Sequence, residues 1–302
     1  LDLISAAALP IAYLTAHRAL FTAGELRRLE SILVRGASGA VGLAAVHLAR
    51  HFCDSRVVIG TASSEAGRVA VQRRGAVATG HSEEDIQKVH GKGFDVILDL
   101  MANENLGSDL HLLAPGGRVA VIGSRPGAPP AAIDARQALV KEAKVRGVFL
   151  WKQTEAERQM AYRDIFQAFA GKDKAAPSVR SFRFDQAQEA HDIVSLQAQG
   201  KGQTEGKVVL VNEEASTVCK ASHAGTAKVI DVHAHAVLEE TMGAAGRFGP
   251  ELGESDGKPW FRIGDYYLHG VKYRGSPFMD ITARLARMDK YGIDLQVLSP
   301  NP

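Results

Sequence analysis

Along the first two thirds of the chain, short continuous apolar runs alternate with longer stretches in which apolar residues recur at helical spacing. Leu3 to Leu26 is alanine-rich and helical in pattern, interrupted at Pro10. Ile32, Leu33 and Val34 read as a buried strand, and Val41, Ala45, Leu48 and Phe52 then mark one helix face. Val57 to Thr61 is a second β-branched run. Phe94 to Leu100 alternates too little for a half-exposed strand and reads as a buried parallel one, after an exposed segment from Ser82 to Gly93. A helix through Leu106, Leu110 and Leu113 stops at Pro115, Gly116 and Gly117. The pattern then predicts a strand at Arg118 to Ile122, a short helix at Ala135 to Lys141 and a strand at Val145 to Leu150. Helices at Glu155 to Ala170 and Asp185 to Leu196 and a last strand at Lys207 to Val211 complete it. Such alternation predicts an α/β fold, a Rossmann doubly wound parallel sheet of about six strands whose ligands sit at the carboxyl ends of the strands.

After Asn212 the pattern is lost. Residues 213–227 are rich in Ala, Ser, Thr, Glu and Lys without apolar periodicity and read as a linker between a first domain, 1–212, and a second segment, 228–302. The second segment opens on Lys228-Val229-Ile230-Asp231-Val232-His233-Ala234-His235, a β-branched run with two histidines at i and i+2, on one side of a strand. Paired imidazoles suit Zn²⁺ or a similar divalent ion. Ile281, Leu285 and Met288 share a helix face, Gly292 ends that helix, and Leu295 to Leu298 is the next strand. A strand, a long loop, a helix and a strand are the start of a (β/α)₈ barrel, incomplete because such a barrel typically takes roughly 250 residues.

The stretch with the most chemistry is Gly36-Ala37-Ser38-Gly39-Ala40-Val41-Gly42, a strand-to-helix turn. Unpaired N–H groups at a helix start, roughly half a positive charge from the helix dipole and glycines that admit close approach make such a turn a phosphate site. The other reading is a turn that only packs helix on strand. At the end of the next strand stand Ser63, Ser64 and, one turn on, Arg68, where a free ribose 2′-hydroxyl would call for an acid. Hydroxyls and a cation favour a 2′-phosphate, hence NADP(H) over NAD(H); the other reading of Arg68, Arg73 and Arg74 is a solvated helix face.

Composition narrows the partners. A balance of 36 basic and 34 acidic residues gives no electrostatic reason to expect nucleic acid or an anionic membrane, so a small molecule is the default ligand. Cys53 and Cys219 stand far apart and outside any C-x-x-C pattern, which excludes a disulfide framework and fits a reducing cytoplasm. The apolar opening, Leu3 to Ala16, is too short to span a bilayer and lacks the basic start of an export signal. Leu1 in place of methionine and Asn301-Pro302 directly after a strand-like run give both ends the look of cut ends.

Several segments in order, Leu14-Thr15-Ala16-His17-Arg18-Ala19-Leu20, the glycine turn, Gly60-Thr61-Ala62, Met101-Ala102-Asn103-Glu104-Asn105-Leu106, Gly116-Gly117-Arg118-Val119, Gly123-Ser124-Arg125 and Thr204-Glu205-Gly206-Lys207, resemble the zeta-crystallin-like quinone oxidoreductases of the medium-chain dehydrogenase/reductase superfamily. The resemblance covers residues 1 to about 212. It implies reduction of a quinone or an activated double bond by NADPH without a catalytic zinc, a small-molecule electron acceptor, and a homodimer paired through the sheet edge. It also implies a substrate domain that would precede Leu1. By position in the pattern, Gly39, Ala40 and Val41 would lie on the pyrophosphate, Ser63 and Arg68 on the adenosine phosphate, and His81 by the adenosine. Thr15 and Ser124 would face the nicotinamide side and Phe149 to Trp151 the cofactor edge. For Thr15, Ser124 and His81 the other readings are a helix hydroxyl bonded to its own backbone, an ordinary strand-end residue and a solvated loop histidine. No catalytic acid or base is assigned, because the cofactor carries the chemistry.

Ile230-Asp231-Val232-His233-Ala234-His235, with Arg284-Leu285-Ala286-Arg287-Met288-Asp289-Lys290-Tyr291-Gly292-Ile293-Asp294 and Gln296-Val297-Leu298-Ser299-Pro300-Asn301-Pro302, resembles the opening of the amidohydrolase-related superfamily, in the branch of metal-dependent decarboxylases. That resemblance implies His233 and His235 as metal ligands, with the family's later ligands lacking a counterpart. Three functions stay open: an NADPH-dependent oxidoreductase, a truncated amidohydrolase or decarboxylase, and a nucleotide-binding module without turnover. A joined pair of neighbouring reading frames would account for the linker.

Overall fold

The computed structural model describes residues 3–53, 57–125, 128–170, 176–183, 186–198, 206–211, 230–236, 250–263, 266–270, 273–277, 279–291 and 295–300. The chain divides into two compact units, Leu1–Glu213 and Glu214–Pro302.

The alanine-rich opening of the first unit is broken where proline demands it. Helix α1 (Leu3–Ala8) ends before Pro10, which starts α2 (Pro10–His17) at a position where its missing N–H costs nothing, and a π-helical turn follows at Arg18–Ala23. Then strands and helices alternate: β1 (Ile32–Val34), α3 (Ala40–Phe52), β2 (Val58–Thr61), α4 (Glu65–Arg73), β3 (Val77–Thr79), α5 (Glu83–Val89) and β4 (Phe94–Asp99). The series continues through α6 (Ala102–Leu112), β5 (Leu113–Val121), α7 (Ala135–Val140), β6 (Lys144–Gly147) and α8 (Glu155–Ala170).

The six strands form one sheet in the order β3-β2-β1-β4-β5-β6, every pair parallel. Alternate side chains of each strand enter opposite faces. Ile32, Val34, Val58, Val96 and Leu98 join one core with α2, α3 and α8, while Leu33, Ile59, Ile97 and Val119 join a second core with Ile86 of α5 and Leu110 of α6. Coverage on both faces is why β1 and β2 are buried at every position.

Several sequence expectations change. Leu113, expected on the helix face of Leu106 and Leu110 with a stop at Pro115 to Gly117, instead opens β5, because α6 ends at Leu112 and the chain turns directly into the sheet beside β4. Ser82 to Gly93, expected as an exposed segment, contains α5: the Ser82 hydroxyl caps it by accepting the Asp85 N–H, and three acids fill its first turn. The strand expected at Val145 to Leu150 is shorter, and a 3₁₀ turn follows at Leu150–Lys152. Lys207–Val211 is β8, the last strand of the first unit as expected, but it pairs in parallel with β7 (Val179–Arg183) in a separate two-stranded sheet, and α9 (Ala187–Ala198) joins them.

In the second unit, β9 (Ile230–Ala236) pairs in parallel with β13 (Leu295–Pro300), and α10 (Ile281–Tyr291) precedes β13. The expected long loop between them holds a three-stranded antiparallel sheet, β10 (Pro250–Ser255), β11 (Lys258–Ile263) and β12 (Tyr266–His269). Asp256 and Gly257, both at positive φ, make the tight turn between β10 and β11. The expected linker, 213–227, lies outside the described residues.

Candidate nucleotide-binding site

Parallel register puts the carboxyl ends of β1 to β6 along one edge of the sheet. The strand order reverses between β1 and β4, which are neighbours in space but not in sequence. Such a reversal opens the crevice in which doubly wound sheets hold ligands.

The glycine turn occupies that place. Gly36 follows β1 with φ +66°, a conformation open to glycine at no steric cost. Its N–H donates to Thr61 Oγ1 at 3.0 Å, and the Ala37 N–H donates to the Thr61 carbonyl at 2.8 Å, so the end of β2 sets the turn. Gly39, extended with ψ 169°, is the N-cap of α3 and makes no side-chain cap hydrogen bond. The first N–H groups of a helix have no partner within it, so the backbone at Ala40, Val41 and Gly42 offers donors and the positive end of the α3 dipole. Ser38 contributes its carbonyl, which accepts the Gly206 N–H at 3.1 Å and ties the turn to the start of β8. Gly42 is buried, and a Cβ there would meet Ala37 Cα at 2.5 Å, so helix and turn approach too closely for a side chain.

At the end of β2, Ser64 rather than Ser63 takes the capping role, its hydroxyl accepting the Gly67 N–H at 3.0 Å. Arg68 lies back over this strand end, with Nη1 3.4 Å from the Ala62 carbonyl. Its guanidinium is paired with Glu65 at 2.8 and 3.0 Å, so Glu65 competes for the cation that a 2′-phosphate would use. His81 sits past the end of β3 with Nδ1 3.0 Å from Thr61 Oγ1. Thr61 Oγ1 thus bonds both the Gly36 N–H and the His81 ring. Burial and then the Arg35 charge lower the His81 pKa, which favours the neutral ring.

Gly123 crosses close over β4, where an added Cβ would stand 2.6 Å from the Leu100 carbonyl. Ser124 is exposed, and its hydroxyl donates to Asn103 Oδ1 at 3.2 Å. Thr15 is buried in α2, among residues packed on α3. Phe149 and Trp151, 59% and 62% exposed, follow β6 at the far end of the strand row. The structure therefore brings together the glycine turn, the end of β2 and His81 through Thr61. Sequence reasoning missed Thr61, which binds both the turn and His81. It also missed Arg35, Asp99 and Asp109. A lone arginine directly after a buried strand was the available signal, since a buried guanidinium demands a buried acid.

Among the described residues, no three His, Cys, Asp or Glu side chains come together to hold a metal ion. The side chains of His233 and His235, on β9, lie outside the described residues.

Residues 40–165 match the family model of the zinc-binding dehydrogenases, and the chain carries such a domain, with quinone oxidoreductase homologues. More particularly, it is 40% identical over 214 residues to the quinone oxidoreductase of Mus musculus, covering 68% of this chain and 62% of that protein. It is 38% identical over 218 residues to that of Homo sapiens, covering 70% and 63%. The chain thus spans less than two thirds of these curated relatives. Among solved structures, it is similar to the quinone oxidoreductase of Thermus thermophilus, solved alone and with NADPH, at 29% identity and a TM-score of 0.54, covering 64% of this chain and 62% of that one. The fold is shared with CurA of Vibrio vulnificus, solved with NADPH, at 20% identity and a TM-score of 0.58, covering 67% and 63%.

Proposed function

We propose that the first unit binds NADPH at the glycine turn and serves as the cofactor half of a zinc-free, quinone-oxidoreductase-type enzyme that reduces a quinone or an activated double bond. The observation that carries this reading is the N-terminus of α3 behind Gly36, capped by no side chain and set at the reversal of strand order between β1 and β4. The space above Gly36 is open, with nothing within 4 Å of where a Cβ would stand, so a pyrophosphate can approach the backbone. Bound NADPH supplies a hydride. The chain's own residues bind and orient: Gly39 lies on the pyrophosphate, to which Ala40 and Val41 offer N–H groups, and Ser63 and Arg68 face the 2′-phosphate once Arg68 exchanges Glu65 for it. His81 borders the adenosine through a ring held by Thr61, and Gly123 and Ser124 stand on the nicotinamide side. Thr15, Phe149 and Trp151 keep their assigned places only by resemblance. No step is routed through zinc, for which the described residues offer no donor set.

Titration of the purified chain with NADPH and with NADH, followed by assay with a quinone, tests this reading. NADPH is expected to bind more tightly; tighter NADH binding removes the Ser63 and Arg68 assignment, and binding without quinone reduction favours a module without turnover. A homodimer through β6 is supported by its place at the sheet edge and by exposure at all four of its positions. Among the described residues no helix is long and apolar enough to cross a membrane. A reducing, cytoplasmic setting is supported by Cys53, a buried free thiol whose pKa burial raises to about 11.

For the second unit, we infer from the resemblance alone the start of a metal-dependent amidohydrolase or decarboxylase barrel with His233 and His235 as metal ligands, a reading with which the parallel pairing of β9 and β13 is compatible. Zinc content compared between the chain and its H233A/H235A variant tests it. Equal content leaves the pair without a metal role.

A further inference from the structure

Beneath the β1/β4 crevice lies a buried charged cluster that the proposed cofactor contacts do not use. Arg35, 2% exposed, stands between β1 and Gly36 and binds Leu98 of β4 through its backbone, N–H to carbonyl at 2.8 Å. Its side chain reaches three partners. Nε donates to Asp109 Oδ1 at 2.8 Å, Nη1 to the His81 carbonyl at 2.8 Å and Nη2 to Ser108 Oγ at 2.9 Å. Asp99, at the end of β4, uses Oδ1 to accept the Met101 N–H at 2.8 Å and the Asn105 side-chain amide at 3.0 Å. Asp99 and Asp109 are both 0% exposed.

The two remaining oxygens, Asp99 Oδ2 and Asp109 Oδ2, are buried and receive no hydrogen bond from any donor among the described residues. Asp99 acts on Asp109 both through its charge and as a side-chain hydrogen-bond partner. Ionised carboxylates accept only, and two of them buried together, with the one guanidinium of Arg35 bonded to Asp109, leave an uncompensated negative charge. One proton removes both difficulties. It supplies the missing donor and makes the cluster of Arg35, Asp99 and Asp109 neutral.

We propose that Asp99 and Asp109 share one proton between their Oδ2 atoms and, with Arg35, form a neutral buried clasp that positions two segments bordering the crevice, the loop carrying His81 and the first turn of α6. Both segments hang on the clasp directly, His81 through its carbonyl on Arg35 and Met101 and Asn105 through Asp99. Burial pushes the Asp109 carboxyl well above the usual carboxylate range, against the pull of Arg35 and with the help of the Asp99 charge. The charged groups facing it are Arg35 from the end of β1 and Asp99 from the end of β4, while His81 faces Arg35. The consequence for cofactor binding rests on the function proposed above; the shared proton does not.

Difference infrared spectra of the whole chain and its D109N variant at neutral pH test the proton. The wild type is expected to show the carbonyl stretch of a protonated carboxyl that D109N lacks; its absence from the wild type overturns the proposal. Asparagine keeps both bonds of the protonated acid, accepting from Arg35 and donating to Asp99, so D109N is expected to fold and to bind NADPH within about twofold of wild type. D109A, which keeps neither bond, is expected to weaken NADPH binding by about tenfold. Equal binding by D109A and wild type overturns the positioning role. The pH profile gives a readout that packing alone does not move. Folded Asp109 holds its proton more tightly than unfolded Asp109, so wild-type stability falls as pH rises from the ordinary carboxylate range toward the raised value, and D109N lacks that slope. Parallel melting profiles overturn the shared proton. If the wild type binds no NADPH, the functional reading fails by itself, and the infrared band with the Met101 amide and His81 ring resonances of D109A and D109N decides the clasp. Unmoved resonances in D109A overturn the positioning role.

Discussion

Gly36 and Gly42 bound the same turn for opposite physical reasons, and this makes them separable. At Gly36 the backbone is left-handed and the space beyond it is empty. An alanine there strains the fold by about 1–2 kcal/mol and places a methyl where a phosphate would approach. At Gly42 a methyl would meet backbone atoms, Ala37 Cα at 2.5 Å and the Gly36 carbonyl at 2.7 Å, so α3 must shift, at a cost of about 1–3 kcal/mol. Urea unfolding and NADPH titration of both variants are expected to show that G36A loses affinity out of proportion to stability, while in G42A the two fall together. Unchanged NADPH affinity in G36A would move the cofactor away from the turn. The glycines were legible in the sequence because spacing, preceding strand and following helix agree. Thr61 and Arg35 were not, because each acts through partners 20 to 74 residues away in sequence, at His81 and Asp109, and no local pattern records such a pairing.

Among the elements, those with a long or strongly apolar pattern were the readable ones. Helix α8 runs from Glu155 to Ala170 as its spacing predicts, and the runs in β1, β2 and β4 announce strands covered on both faces. Helix α5 escaped because Ile86 is its one buried residue, and β7 because two arginines break its alternation. The junction between the π-helical turn and the sheet shows how tertiary contacts complete what local preference leaves open. Arg118, on β5, donates to the Gly24 and Glu25 carbonyls at 2.8 and 2.9 Å and grips the Glu30 carboxylate at 2.6 and 3.0 Å. This clamp holds a stretch in which Glu25 and Leu29 sit at positive φ, 47° and 69°. R118A leaves a half-buried carboxylate and two carbonyls without their donor, and is expected to destabilise the first unit by about 3 kcal/mol. Denaturant unfolding measures this, and R118K is expected to recover only part, because an ammonium cannot reproduce the fork. A change below about 0.5 kcal/mol would place the clamp among ordinary surface pairs.

In the molecule as a whole, every residue of the two described core clusters lies before Ala170, and the glycine turn, Thr61, His81 and the Arg35 cluster lie on the same sheet. The compact first unit ends at Glu213 and includes β8, whose approach residue Gly206 is bonded to Ser38 of the turn. The described residues of the first unit's sheet and of the proposed cofactor site thus all lie within residues 1–213. A chain ending after Glu213 is expected to unfold cooperatively and to bind NADPH within about twofold of the full chain, a difference of roughly 0.4 kcal/mol. A chain ending before Gly206 removes the hydrogen bond to Ser38 together with β8, and is expected to lose NADPH binding while keeping the far-ultraviolet signal of the six-stranded sheet. Isothermal titration and circular dichroism of the two shortened chains make the comparison. Loss of binding in the chain that ends after Glu213 would mean that the second unit sustains the site, a dependence for which the turn and its partners give no physical reason.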